Sequence, residues 1–209
     1  MPALPIRLAD AQFRPGDLIV HWAYWPDGRA INRISDAIAE FGRGKACHLG
    51  MLDMEPRGEV LVPRVVEMVP PEGRVVDLAP RITEYPGTIH WLRVPHVVAL
   101  DYTASGSPVC HFYDRQVAVT KMREYIGVPY GFDTIRRDYW HGSWARWFAD
   151  LPEEDEVLDW LPVCSTAALD ALQVGFGGWD LLRNLHTMCA HPEDVNRIAF
   201  LEDQGALLP

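Results

Sequence analysis

The sequence predicts an α+β fold in which an antiparallel sheet packs against helices. Three observations point there. Short strand-like segments joined by Gly- and Pro-containing turns fill the stretch from residue 18 to 94, which favours antiparallel pairing. Apolar residues recur at helical spacing in three other places, at 31–41, 111–126 and 164–172. Hydrophobic residues make up 48% of the 209-residue chain and aromatics 11%, enough for one domain, 1–209, with a sizeable core.

In chain order, Phe13-Arg14-Pro15-Gly16-Asp17 reads as a turn and Leu18 to Trp22 as a strand. Ile31, Ile34, Ile38 and Phe41 mark an amphipathic helix that Gly42 and Gly44 close. Ala46 to Leu52, Val60 to Met68, Arg74 to Leu78 and Thr88 to Val94 follow as strands, with a turn at Pro70-Pro71-Glu72-Gly73 and a loop containing Pro86-Gly87. His111 to Ile126 reads as a helix, broken by Gly127-Val128-Pro129-Tyr130-Gly131. A Trp-rich insert at about 135–160 holds Trp140, Trp144, Trp147 and Trp160 around the acidic run Glu153-Glu154-Asp155-Glu156. Its tryptophans suit packing on the core, or a wall beside a site; the acids suit a solvated face.

Charge narrows the partners. A net charge of -10 and a pI of about 5.2 argue against nucleic acid, since phosphate binding needs a basic face. They argue less strongly against an anionic membrane surface. No apolar run is long enough for an integral membrane segment. The first residues carry no signal-peptide pattern, so a cytoplasmic location is expected. Cys47, Cys110, Cys164 and Cys189 are scattered, so reduced thiols are expected in place of a disulfide framework. Cys110-His111 and Cys189-Ala190-His191 have metal-ligand types but no second pair at zinc spacing, so neither metal nor cofactor is expected. His186 and His191 flank a predicted helix start at Pro192-Glu193-Asp194, where the acids suit the helix dipole.

The stretch with the most chemistry is Leu161 to Leu172. Pro162 suits a helix start, and Ala167, Ala168, Ala171 and Leu172 form an apolar stripe after it. Cys164 then sits at the first turn, where the dipole and free N–H groups favour the thiolate. The plainer alternative is a small buried hydrophobe, as free cysteines often are. A catalytic thiolate needs a base and a group to orient it. His48 lies within a strand, with Cys47 and Leu49 expected on the opposite face and Gly50 leaving room beside the ring. Glu67 sits on the next predicted strand among Val65, Val66 and Met68, where a carboxylate is expensive unless paired. Each has a structural alternative: a sheet histidine bonded to backbone, and an edge charge. His21, Trp22 and Tyr24 follow the first strand and could form a facing wall.

The ordered set Gly16-Asp17-Leu18-Ile19, Cys47-His48-Leu49-Gly50-Met51-Leu52, Val66-Glu67, Gly127-Val128-Pro129-Tyr130-Gly131-Phe132 and Val163-Cys164-Ser165 resembles the circularly permuted branch of the NlpC/P60 cysteine peptidase superfamily, the YiiX/YaeF-like group. Lecithin-retinol acyltransferases are more distant permuted relatives. The resemblance runs from about Arg14 to Leu172. It implies a permuted papain-like fold, with Cys164 as nucleophile, His48 as base, Glu67 as the third polar residue and Tyr130 lining the cleft. It also implies a bacterial-type cysteine peptidase or amidase that forms a thioester acyl-enzyme on small peptide or acyl-amide substrates, with peptidoglycan-type peptides among them. Lipid acyl transfer, thioester hydrolysis and a non-catalytic binding module on the same fold are the alternatives. Ser165-Thr166-Ala167-Ala168 stands where relatives often carry Ser-Glu-Leu-Val, and the Trp-rich insert is longer than in them.

Overall fold

The computed structural model describes residues 4–25, 27–102, 106–131, 161–179, 181 and 190–209, so the Trp-rich insert, His186 and Cys189 lie outside the described residues. The described elements are β1 (Ile6–Arg7), β2 (Leu18–Trp22), α1 (Arg33–Phe41), β3 (Ala46–Arg57), β4 (Val60–Val69), β5 (Glu72–Asp77), α2 (Leu78–Glu84), β6 (Ile89–Arg93), β7 (Val97–Tyr102), β8 (Pro108–Phe112), α3 (Arg115–Arg123), α4 (Cys164–Gly175), α5 (Pro192–Asn196) and β9 (Glu202–Leu208). The result is a mixed α+β architecture with a mostly antiparallel sheet. Seven of these strands form one sheet in the order β1-β9-β6-β2-β3-β4-β5, and β7 and β8 form a separate hairpin. Within the large sheet the β1–β9 pairing is parallel.

Leu18-Ile19-Val20 at the sheet centre is a continuous apolar run, and all three residues are fully buried. A strand of that kind needs cover on both faces. On one face Leu18, Val20, Leu49, Met51, Val66 and Met68 pack with apolar residues of α3, α4 and α5. On the other, Ile19, Leu52, Val65, Ile89 and Trp91 pack with Leu78 and Ile82 of α2 and with Phe13. The first face carries the helix that begins at Cys164; the second carries the small helix α2.

Several elements depart from the sequence expectation. The helix expected from His111 begins at Arg115, because the Asp114 side chain caps it by accepting from the N–H groups of Gln116 and Val117. His111 instead lies in β8, opposite Val98. α1 begins at Arg33, where Asn32 caps it by accepting from the Ser35 N–H. Ile34, read as part of its apolar stripe, is 75% exposed. α2, β1, β9 and the β7–β8 hairpin were not legible. α2 has only Leu78 and Ile82 buried and a proline in its first turn, and β9 opens with Glu202 and Asp203. α4 begins at Cys164, as expected, with Pro162 two residues ahead of its first turn. The Thr166 hydroxyl closes that start by accepting from the Val163 N–H at 2.8 Å and donating to the Val163 carbonyl at 2.9 Å.

The turn into β2 anchors the two layers to one another. Asp17 is fully buried, and its carboxylate accepts from Trp91 Nε1 at 3.0 Å, the Val94 N–H at 3.2 Å and Arg115 Nη1 at 2.7 Å. Gly16 holds φ at +80°, and a Cβ there would lie 2.9 Å from the Tyr113 hydroxyl, which donates to the Gly16 carbonyl. Breaking a buried charge pair by removing one partner costs about 3–5 kcal/mol. Asp17→Ala should therefore lower stability by that order in denaturant unfolding, whereas an unchanged midpoint would mean that Arg115 and Trp91 find other partners.

Candidate active site

Three elements converge at the start of α4. The helix presents Cys164 at its first residue, 4% exposed. The first N–H groups of a helix have no intrahelical acceptor, so they and the dipole face the sulfur. The Leu49 and Ser165 backbone amides favour its ionised form. The His48 imidazole from β3 and the Tyr130 hydroxyl from the segment before α4 interact electrostatically with the same sulfur.

His48 reaches this point because β3 is irregular there. His21 faces His48 across the β2–β3 ladder, but the next pair is Trp22 with Ala46, so Cys47 is an extra residue. A bulge of this kind bends the strand and re-aims its side chains. It also corrects the expectation that Cys47 and Leu49 share the opposite face. Leu49 joins the core under α4, whereas the Cys47 sulfur lies 3.4 Å from the Tyr85 hydroxyl, and Tyr85 packs edge-on against His21. Gly50 pairs with Glu67 on β4, and a Cβ on Gly50 would lie 3.4 Å from the Glu67 Cβ and 2.3 Å from a Val65 methyl. The missing side chain leaves the diagonal from His48 to Glu67 open.

Glu67 is fully buried and its Oε2 lies 2.8 Å from His48 Nε2. An ionised carboxylate can only accept, so Nε2 carries the proton, and Nδ1 is the nitrogen left for Cys164. Arg74 on β5 donates to Glu67 Oε1 through Nε at 3.1 Å and Nη2 at 2.9 Å, and Arg81 on α2 donates Nη2 to Oε2 at 3.3 Å. Glu67 is therefore the paired carboxylate that its apolar neighbours demanded.

The electrostatics follow from this order. Burial pushes the Glu67 carboxyl up, but the bond to His48 and the charges of His48 and Arg81 outweigh it and hold it well below the usual carboxylate range. Burial pulls His48 down, yet the Cys164 thiolate and Glu67 raise it to about 9. Burial pushes the Cys164 thiol up, and His48 with the Leu49 and Ser165 amides brings it below its ordinary value. The arrangement stabilises a thiolate–imidazolium pair, with Glu67 behind the imidazolium.

The other expected site residues divide. Tyr130 interacts electrostatically with Cys164, and burial followed by the Cys164 charge pushes its hydroxyl far up, so it keeps its proton. His21 is fully buried and offers no surface to a substrate; its ring backs His48 at 4.9 Å between centroids, and burial holds it neutral. The facing-wall expectation is thus corrected for His21. Trp22 is partly exposed, stacked on His90 at 3.7 Å with Lys45 over its ring. His90 on β6 pairs with Asp203 at 3.1 Å. Glu193 was read as a dipole-compensating acid, but its Oε2 accepts from the N–H groups of Lys45 and Ala46 at 3.0 and 2.9 Å and so fixes the entry to the His48 strand. Gly44 makes room for it, since a Cβ there would lie 2.0 Å from the Glu193 carboxyl carbon. Among the described residues no group of three or more His, Cys, Asp or Glu could hold a metal ion, and no helix is long and apolar enough to cross a membrane.

No family model matches the chain, and no curated protein matches it.

Two outcomes follow from the geometry. Cys47 is buried with its thiol pushed up and Cys110 is exposed, whereas the Cys164 thiol is brought below its ordinary value, so near neutral pH iodoacetamide should alkylate Cys164 ahead of both; peptide mapping reads this. Replacing Glu67 by Gln withdraws the charge behind the imidazolium, and alkylation of Cys164 near neutral pH should slow about tenfold or more. A Glu67→Gln rate equal to the parent across pH 5 to 8 would leave Glu67 as a sheet residue only. The three cationic partners also mean that this substitution should lower stability, since it relieves no unpaired charge.

Proposed function

We propose that this protein is a cysteine hydrolase of peptidase or amidase type, acting through Cys164, His48 and Glu67 on a permuted papain-like fold similar to that of the NlpC/P60 superfamily. The observation that carries the reading is the position of the His48 ring, paired at 2.8 Å on one side with a buried carboxylate and interacting electrostatically on the other with a thiol at a helix start. Its chain order, histidine strand before cysteine helix, is the order the resemblance implies.

In this reading the Cys164 thiolate attacks the substrate carbonyl carbon. The carbonyl oxygen becomes an oxyanion near the helix start, where the Cys164 N–H is available to it. His48, protonated in the resting ion pair, gives its proton to the leaving nitrogen, and the C–N bond breaks to leave a thioester. Neutral His48 then takes a proton from water, the hydroxide equivalent attacks the thioester, and the acid product leaves with Cys164 as thiolate and His48 as imidazolium again. Glu67 holds the imidazole orientation and offsets its charge throughout. The substrate class is a small peptide or acyl-amide, with peptidoglycan-type peptides the first to test.

The test is intact-mass detection of an acyl-enzyme after exposure to activated acyl donors, followed by turnover on a panel of short peptides and cell-wall peptide fragments. Acylation mapping to Cys164, absent in Cys164→Ala, is the expected result. A folded protein that stays unmodified by every acyl donor overturns the reading. The pH profile has a stated shape. Activity should rise as Cys164 loses its proton below the ordinary thiol value, and fall through about pH 9 as His48 loses the proton that the leaving group needs. A profile that rises monotonically past pH 10 would remove His48 as the acid.

A further inference from the structure

We propose that Arg74, with Arg81, is a positioning residue that clamps the Glu67 carboxylate so that Oε2 stays on His48. The inference rests on the functional reading above for its consequence, but its geometry is independent of it.

A buried carboxylate offers two oxygens and can rotate about its last bond. Here Oε1 is held by two donors of one guanidinium, Nε at 3.1 Å and Nη2 at 2.9 Å, so rotation would break both bonds. That leaves Oε2 fixed 2.8 Å from His48 Nε2, with Arg81 Nη2 on its other side at 3.3 Å. The planar fork of arginine makes this restraint directional, which the single ammonium of lysine cannot reproduce. The register of the sheet supplies it, because Arg74 stands directly across from Glu67 on β5. Arg74 is itself half-exposed, 47% accessible at the side chain, so its role is not to fill the core.

Charge and geometry act on His48 in opposite directions, which makes the proposal decidable. The titratable and charged groups around the ring are His21 from β2, Glu67 from β4 and Cys164 from α4, with Arg74 from β5 and Arg81 from α2 behind them on Glu67 and Tyr130 beside Cys164. Removing one positive charge from this set would by itself let His48 hold its proton to higher pH. Releasing the carboxylate would weaken the Nε2 bond and let the proton leave at lower pH.

The experiment is an NMR titration of the His48 ring in the parent, Arg74→Met, Arg74→Lys and Arg81→Met, with Glu67→Gln marking complete loss of the pairing. The expected result is a downward shift of the His48 titration in Arg74→Met by about half a pH unit or more, only partly restored in Arg74→Lys, with Cys164 alkylation at neutral pH slowed about threefold or more. No shift, or an upward one, in both Arg74→Met and Arg81→Met overturns the clamp. If Arg74→Met does not fold, Arg81→Met and Arg74→Lys decide it by the same sign. The titration needs no substrate, so a chain that never forms an acyl-enzyme refutes the hydrolase reading without touching the clamp.

Discussion

A carboxylate with no solvent exposure, Glu67, is the constraint on which the rest of the site depends. Desolvation of an unpaired carboxylate would destabilise the fold by several kcal/mol, so the chain must bring cations to it. They arrive from three directions. Arg74 comes from the neighbouring strand, Arg81 from the short helix α2, and His48 from the strand on the other side. Each element next to Glu67 is thereby tied to the same pair of oxygens, and His48 becomes both a structural partner and the group that faces Cys164.

The same logic explains why Cys164 stands at the end of a helix and not within one. A buried thiol is pushed towards the neutral form, and only concentrated positive potential reverses that. The helix start gives unpaired N–H groups and the dipole, the Leu49 amide dipole adds to them from the strand, and the imidazolium adds a full charge. The bulge at Cys47 lets these meet. A regular β3 would keep His48 in strict alternation with the residues that bury their side chains under α4. Glu193 holds the first residues of the bulged strand, so the irregularity is fixed at its entrance and by the ladder to His21 beyond.

Much of the site was legible because its residues carry local signals. A cysteine before an Ala-Leu stripe, a histidine followed at two residues by glycine, and a glutamate among valines each conflict with an ordinary role for their position. Elements with weak local signal were missed. α2 is seven residues long with two buried side chains, β9 opens on acids, and Asp114 outweighed the apolar spacing that suggested an earlier start for α3. His21 was misread as part of a wall because a strand residue shows its periodicity but not which layer covers it.

The sequence by itself determined the mixed strand-and-helix content, the start of α4 at Cys164 and the three residues worth testing, since hydrophobic period, capping and an expensive charge are properties of neighbouring residues. Only the tertiary structure decided that Arg74 and Arg81 hold Glu67, that Glu193 pins the histidine strand, and that Asp17 gathers Trp91, Val94 and Arg115. Those partners lie 7, 14, 147 and 74 to 98 positions away in the chain, so no local pattern encodes them. They are selected by sheet register and by the requirement that every buried charge find a donor once the layers close.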